Sequence, residues 1–475
     1  MTRNLASAFA SSASSWARIA LVPVALASCD PGTKVPPLRP VTMVPIQPSS
    51  VHSAPVADAG SPGSSEDKHI AATLRKVSAV RGLAALHSVP GVVLERTDLV
   101  AAVRKKADSE YPKAALERDA RVMELLGFAP TPFDYLGELS KLLEAQLDGF
   151  YEPKNGTMYV ASDLAGDAAN LALAHELVHA LQDQHYDLKP RTGYHPGRSD
   201  EIMAGSMLAE GDATSAMLDV SLKAQGQTAL DLPESLFSSM LSNAMNTGDT
   251  ANAPRFLRST LVFPYVEGTL FVHALRRQGG FAHVDDAWRD LPKTTEQVLH
   301  PEKWTAHEAA LAVPAPTATA LGAGFSRVDE DTGGEGGLRI VLEEWAGPTD
   351  AKLAAAGWGG DRSGVYANGK TLASAMLVVT DKPEKGPEDA FAKRALDKVR
   401  PGLEKIAGKA SKDATFVCID RPKLGPLALG RKGRAYVVLA GPSERTEKAE
   451  WTPKGTCALA HKWADEVLAQ GAQVR

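Results

Sequence analysis

Leu171-Ala172-Leu173-Ala174-His175-Glu176-Leu177-Val178-His179-Ala180-Leu181-Gln182-Asp183-Gln184-His185 is the stretch on which the reading of this chain turns. It is rich in Ala and Leu and holds neither Pro nor Gly, so together with its flanks it predicts a helix over 165–185. His175 and His179, four residues apart, then lie one above the other on a single helix face. Two imidazoles so placed can bind one Zn²⁺ from the same side, with Glu176 beside the first of them. Zinc lowers the pKa of a bound water to about 7, and a neighbouring glutamate can take its proton as general base. Leu171, Ala174, Leu177, Val178 and Leu181 give this face apolar flanks, as a buried site requires.

A zinc site that keeps one position open needs a third protein ligand. His185 and Glu210 compete for the role. The spacing from His175 to His185 resembles the metzincin pattern HExxHxxGxxH, in which glycine lets the chain turn back. This chain has Gln182 there, with no preference for such a turn. On a continuous helix His185 lies about three turns from His175, too far along the axis to share its metal. Glu210 sits in Leu208-Ala209-Glu210-Gly211-Asp212-Ala213, on a helix predicted over 200–222, and is favoured. Asp212 reads either as an acceptor for the N–H of a ligand histidine or as a solvated carboxylate. Gln182 and Asp183 read as braces or caps of the histidine helix. Peptide hydrolysis builds negative charge on the carbonyl oxygen. Tyr265, in Phe263–Gly268, and His300, in Thr294–Pro301, are the candidate donors to it, against the plainer readings of a core tyrosine and a loop histidine.

These motifs resemble the HExxH zincin-like metallopeptidases of the gluzincin type. More narrowly, they are similar to exported bacterial lipoproteins with a GFY-turn-MYV hairpin, HELVHALQDQ and EGDA, here Gly149–Val160, His175–Gln184 and Glu210–Ala213. The match covers roughly residues 80–310. The resemblance implies that His175, His179 and Glu210 hold Zn²⁺ and that Glu176 is the base. It also implies a zincin fold with an edge strand above the cleft, and a peptide or protein substrate.

At the N-terminus, Arg3 and Arg18 precede the apolar run Ile19–Leu26, too short to span a membrane. The ending Leu26-Ala27-Ser28-Cys29 resembles a lipobox. Residues 1–28 therefore read as a lipoprotein signal peptide, with Cys29 lipidated and the protein anchored through its lipid to a membrane of the cell envelope, on the periplasmic or cell-surface side. Residues 29–66, rich in Pro and Ser, read as a flexible tether. Of the three cysteines, Cys418 and Cys457 remain, and outside the cytoplasm a disulfide between them is the expectation.

The length of 475 residues fits two folded domains. The reading is α+β: a mainly helical zincin-like domain over 67–310 with a small edge hairpin, a linker over 311–335, and a smaller α+β domain over 336–475. Helices are expected at 67–86, 98–108, 112–127, 134–148, 231–246, 261–278, 281–290, 388–408 and 456–470. Strands are expected at Ser374–Thr380, Thr415–Ile419 and Gly433–Leu439. A net charge of −5, with no basic stripe, excludes nucleic acid as a partner. No GxSxG is present, which removes the main competing hydrolase class. Gly357–Arg362 lacks the Lys-Ser/Thr of a phosphate loop and reads as a tight turn exposing Trp358. The competing class of function is a non-catalytic envelope module of the same fold, against which Glu176 argues, because a scaffold needs no general base.

Overall fold

The computed structural model describes residues 65–110, 112–163, 166–193, 195–235, 252–407 and 413–475. The residues read as a signal peptide, Cys29, nearly all of the stretch read as a tether and most of the helix expected at 231–246 lie outside the described residues. The fold is α+β, helical in its N-terminal half and rich in β-structure in its C-terminal half.

The N-terminal half is built from α1 (Ser65–Arg81), β1 (Gly91–Leu94), α2 (Arg96–Glu110), α3 (Lys113–Leu126), α4 (Tyr135–Gln146), β2 (Gly149–Glu152), β3 (Thr157–Ala161), α5 (Gly166–Tyr186), α6 (Ser199–Leu222) and α7 (Arg255–Arg289). β2 and β3 form the expected hairpin, with Gly156 at positive φ in its turn. β1 adds to β3 in parallel, so β2 is an edge strand. The short run Gly91–Leu94 carries no alternation long enough to mark it as a strand beforehand.

α6 is the central element: every residue from Ile202 to Asp219 is buried. A helix buried all round must be covered on several sides, and α1, α5 and α7 pack against it. Its approach to α7 is backbone on backbone. A Cβ on Gly211 would lie 2.1 Å from the Gly268 carbonyl oxygen, and one on Gly268 would lie 2.0 Å from that of Met207. Only glycine fits at this crossing, which sits next to Glu210.

α7 begins at Arg255, earlier than the helix expected from 261, and Pro264 lies inside it. Non-helical backbone at Gly279 and Gly280 divides it, which matches the two helices expected at 261–278 and 281–290.

The C-terminal half is an antiparallel sheet in the order β4 (Ser326–Asp331), β5 (Trp358–Asn368), β6 (Thr371–Thr380), β9 (Ala435–Arg445), β8 (Gly425–Lys432), β7 (Phe416–Arg421), with β10 (Trp451–Pro453) on β9. α8 (Gly334–Ala355) and α9 (Ala390–Ala407) pack on each other, and α10 (Cys457–Gly471) packs on β8 and β9. In β6, Met376 and Val378 belong to one hydrophobic cluster while Ala375, Leu377 and Val379 belong to another. The sheet is thus buried on both faces, which explains why its strands read as apolar runs.

Two expectations change. β4 falls inside the stretch read as a linker, and one hydrophobic cluster runs from Leu99 through Leu257 and Leu338 to Trp451, so the halves share a core. Buried Glu124 of α3 joins them, accepting from Trp451 Nε1 at 2.8 Å and facing Arg445 at 3.1 Å. Trp358 is buried rather than exposed, and its Nε1 donates to Asp361 Oδ1 at 3.0 Å. Cys418 and Cys457 are bonded, with Cα atoms 5.8 Å apart.

The glycine crossing yields a test. Gly268→Ala should cost about 1–3 kcal/mol of stability in urea denaturation, since the added methyl has only backbone to displace. A loss below about 0.5 kcal/mol, the range of a neutral surface change, would mean that the helices part freely.

Candidate metal centre

α5 runs unbroken from Gly166 to Tyr186, and its mid-section is buried. Its face carries His175, Glu176 and His179 toward α6, which supplies Glu210. The side chains of these four residues are at most 2 % exposed. His175 Nε2 lies 3.1 Å from Glu210 Oε2 and 3.2 Å from His179 Nε2, and His179 Nε2 lies 3.5 Å from the same Glu210 oxygen. Ligands about 2.0–2.1 Å from a tetrahedral zinc are separated by about 3.3–3.4 Å. The observed triangle has that size. One N–H between two of these atoms would satisfy a single edge, whereas a cation above the triangle satisfies all three at once.

The donor set also fits zinc chemically: two imidazoles and one carboxylate, with a second carboxylate alongside. Glu176 Oε2 accepts from the Tyr151 backbone N–H of edge strand β2 at 2.6 Å, while its Oε1 is buried with no hydrogen-bond partner among the described residues. A buried carboxylate oxygen without a donor is costly unless something positive or protic faces it. Burial pushes the Glu176 carboxyl up to about 7, against the pull of His179 and the Tyr151 N–H. That is the range a general base needs at neutral pH.

Burial disfavours charge on His179, but the Glu210 and Glu176 carboxylates outweigh it and lift the ring to about 9, while burial holds His175 below the usual histidine range. Burial likewise opposes charge on Glu210, yet the two histidines hold its carboxyl below its ordinary value. Glu210 is therefore an anion facing the charge that His179 is biased to carry. Zinc can take the place of that proton, because ligand imidazoles bind metal in the neutral form.

Tyr265 of α7 is brought to the same place. Its ring stacks on His175 with centroids 5.8 Å apart, and its hydroxyl hydrogen-bonds Glu210. Burial, followed by the charges of Glu210 and Glu176, raises its pKa far above the usual tyrosine value, so it stays a donor. His300 is not brought there. Its Nε2 pairs with Glu335 Oε2 at 2.9 Å and its Nδ1 faces Glu302. The short helix Thr295–Leu299 ends at His300 and turns it toward α8 instead. His185, on the unbroken helix, contacts the Ala84 carbonyl at 2.7 Å. Asp183 braces the helix end, accepting from the Tyr151 hydroxyl at 2.9 Å and from Leu188 N at 3.1 Å.

Asp212 is neither solvated nor bonded directly to a ligand histidine. It accepts from Gln182 Nε2 at 3.1 Å, Trp288 Nε1 at 3.0 Å and Arg81 Nε at 2.5 Å. Gln182 in turn contacts His179 Nδ1 at 2.8 Å. Arg81 and Trp288 were missed from sequence. A signal for Arg81 existed: it continues the buried stripe Ile70, Leu74, Val77 of α1, where a charge demands a buried partner. Nothing local marks Trp288.

A model for a domain of unknown function, DUF8575, matches residues 321–450. That stretch spans β4 through β9 and excludes His175, Glu176, His179 and Glu210. No curated protein matches the chain significantly. Among solved structures, a protein from Chloroflexus aurantiacus described as "a putative hydrolase with a novel fold" shares 17% identity at a TM-score of 0.32, over 54% of this chain and 92% of that one. A likeness so remote carries no argument about fold or function.

If the triangle holds the metal, zinc content measured on purified protein should fall to background in His179→Ala. Glu210→Ala should weaken zinc binding far more than His185→Ala. The reverse order would remove Glu210 from the site.

Proposed function

We propose that this chain is a zinc-dependent peptidase acting outside the cytoplasm. The observation that carries the reading is the triangle of His175, His179 and Glu210 with the tetrahedral spacing of zinc ligands and Glu176 beside it. A bound Zn²⁺ would polarise the scissile carbonyl and acidify water. Glu176 is the base that takes the water's proton through its unpartnered Oε1, while the Tyr151 N–H fixes its other oxygen. Tyr265, held protonated, is the donor available to the carbonyl oxygen as charge builds on it. β2, an edge strand tied to Glu176, would align an extended peptide in this reading. Cys29 and the signal peptide support an envelope lipoprotein held by its lipid.

One observation favours a second reading. His175, Glu176, His179 and Glu210 are almost without exposed surface, as suits a structural metal in a non-catalytic envelope module. The two readings separate on Glu176.

Glu176→Gln should keep zinc and fold while peptide cleavage falls by about 10²–10⁴-fold, the usual contribution of a general base. The assay is digestion of a broad peptide library, with zinc measured in both proteins. Equal cleavage by both would point to a contaminating protease. No cleavage by zinc-loaded wild type would favour the structural metal. Cys29→Ser should move the protein from the membrane fraction to the soluble one, and retention after a high-salt wash would remove the lipid anchor.

A further inference from the structure

We infer that Gln182 is the positioning residue that sets the tautomer of His179 and so aims its Nε2 lone pair at the metal. The inference rests on the proposed zinc site but comes from a separate set of contacts. Gln182 is fully buried, and its amide has a single workable orientation. Its Nε2 lies 3.0 Å from the Ala209 carbonyl oxygen and 3.1 Å from Asp212 Oδ2. The carbonyl can only accept. Asp212 is committed to accepting as well, because Arg81 Nε and Trp288 Nε1, which also point at it, can only donate. Turning the amide over would set an oxygen against two acceptors inside the protein, where an unmatched polar contact is most costly.

The amide oxygen of Gln182 therefore faces His179, 2.8 Å from Nδ1. An oxygen at that distance requires an N–H on the ring, so Nδ1 carries the proton. In the neutral imidazole the lone pair then lies at Nε2, the atom that joins His175 and Glu210 in the triangle. A plain brace between α5 and α6 would account for the bonds to Ala209 and Asp212. It would not account for the bond to the ligand ring. The order of constraint runs from Arg81 and Trp288 to Asp212, then to Gln182, then to His179, and draws on α1, α5, α6 and α7.

The test reads the ring directly. The full chain is labelled with ¹⁵N-histidine, stripped of metal with a chelator and examined by long-range ¹H–¹⁵N correlation, with His179 assigned from His179→Ala. Recorded at about pH 10, where the ring is neutral because that lies above the value of about 9 to which Glu210 and Glu176 lift it against burial, the zinc-free wild type should show His179 protonated at Nδ1 and not at Nε2. The Nε2-protonated tautomer would overturn the inference without any variant having to fold. In Gln182→Leu the single tautomer should be lost, and the zinc Kd, measured against a chromophoric chelator, should rise by about 10–100-fold, the usual effect of removing a partner of a ligand histidine. A Kd equal to that of wild type would overturn the inference while leaving the zinc site standing. Failure of wild type to bind zinc would remove the proposed function, and the tautomer measurement would still decide the role of Gln182.

Discussion

Two carboxylates and two imidazoles are packed into one buried volume between α5 and α6, and the surrounding structure is arranged around that electrostatic constraint. Ionised groups in a low-dielectric interior must be paired or hydrogen-bonded, or they lose their charge. Glu210 meets both histidines, Glu176 takes one N–H from the edge strand, and Tyr265 lies against His175 and Glu210. Each of these partners comes from a different element. The centre therefore exists only when the edge strand and three helices are in register.

Close packing supplies that register. At the crossing of α6 and α7, Gly211 and Gly268 let backbone meet backbone, which brings Tyr265 within reach of Glu210, two features set by one contact. A layer further out, the guanidinium of Arg81 links Asp212 and Asp285, and the Tyr186 hydroxyl meets Asp285 as well. This cluster, buried at Arg81 and Asp212 and half-buried at Asp285 and Tyr186, pins α1 to α5, α6 and α7. Breaking one member would strand the charge of another, which is far more costly than never having buried the pair.

The histidine helix, the hairpin and the position of Glu210 beside the histidines were legible because each rests on local information: a four-residue spacing, a turn with Asn-Gly, and an acidic residue on the next apolar helix. The sequence also carried the exclusion of His185, since nothing at Gln182 breaks the helix. It misplaced His300, whose partner Glu335 lies 35 residues away and is not signalled by any local pattern. It left Gln182 as a brace, because the value of an amide depends on what stands on both sides of it. Trp358 read as exposed from its glycine-rich surroundings, but Gly357 makes the turn and Trp358 already begins a buried strand. β4 and β8 were lost for a related reason: charge in the first, and Gly and Pro in the second, hid strands that the neighbouring strands hold in place.

The first turn of α6 has a consequence for how the protein is made. Ser199 N–H and hydroxyl both donate to Asp331, 132 residues later, and Asp200 accepts from Thr295, 95 residues later. Arg81 reaches Asp285 across 204 residues, and Trp451 reaches Glu124 across 327. During synthesis the N-terminus emerges first, so the histidine helix leaves the ribosome well before the residues that fix the start of the glutamate helix. Pairings this distant in sequence form late, after the entropy of closing long loops has been met. The order of translation thus leaves the start of α6, and the packing around His175, His179 and Glu210 that follows from it, to be fixed only when nearly the whole chain is present, so this centre is completed late in folding rather than serving as its nucleus.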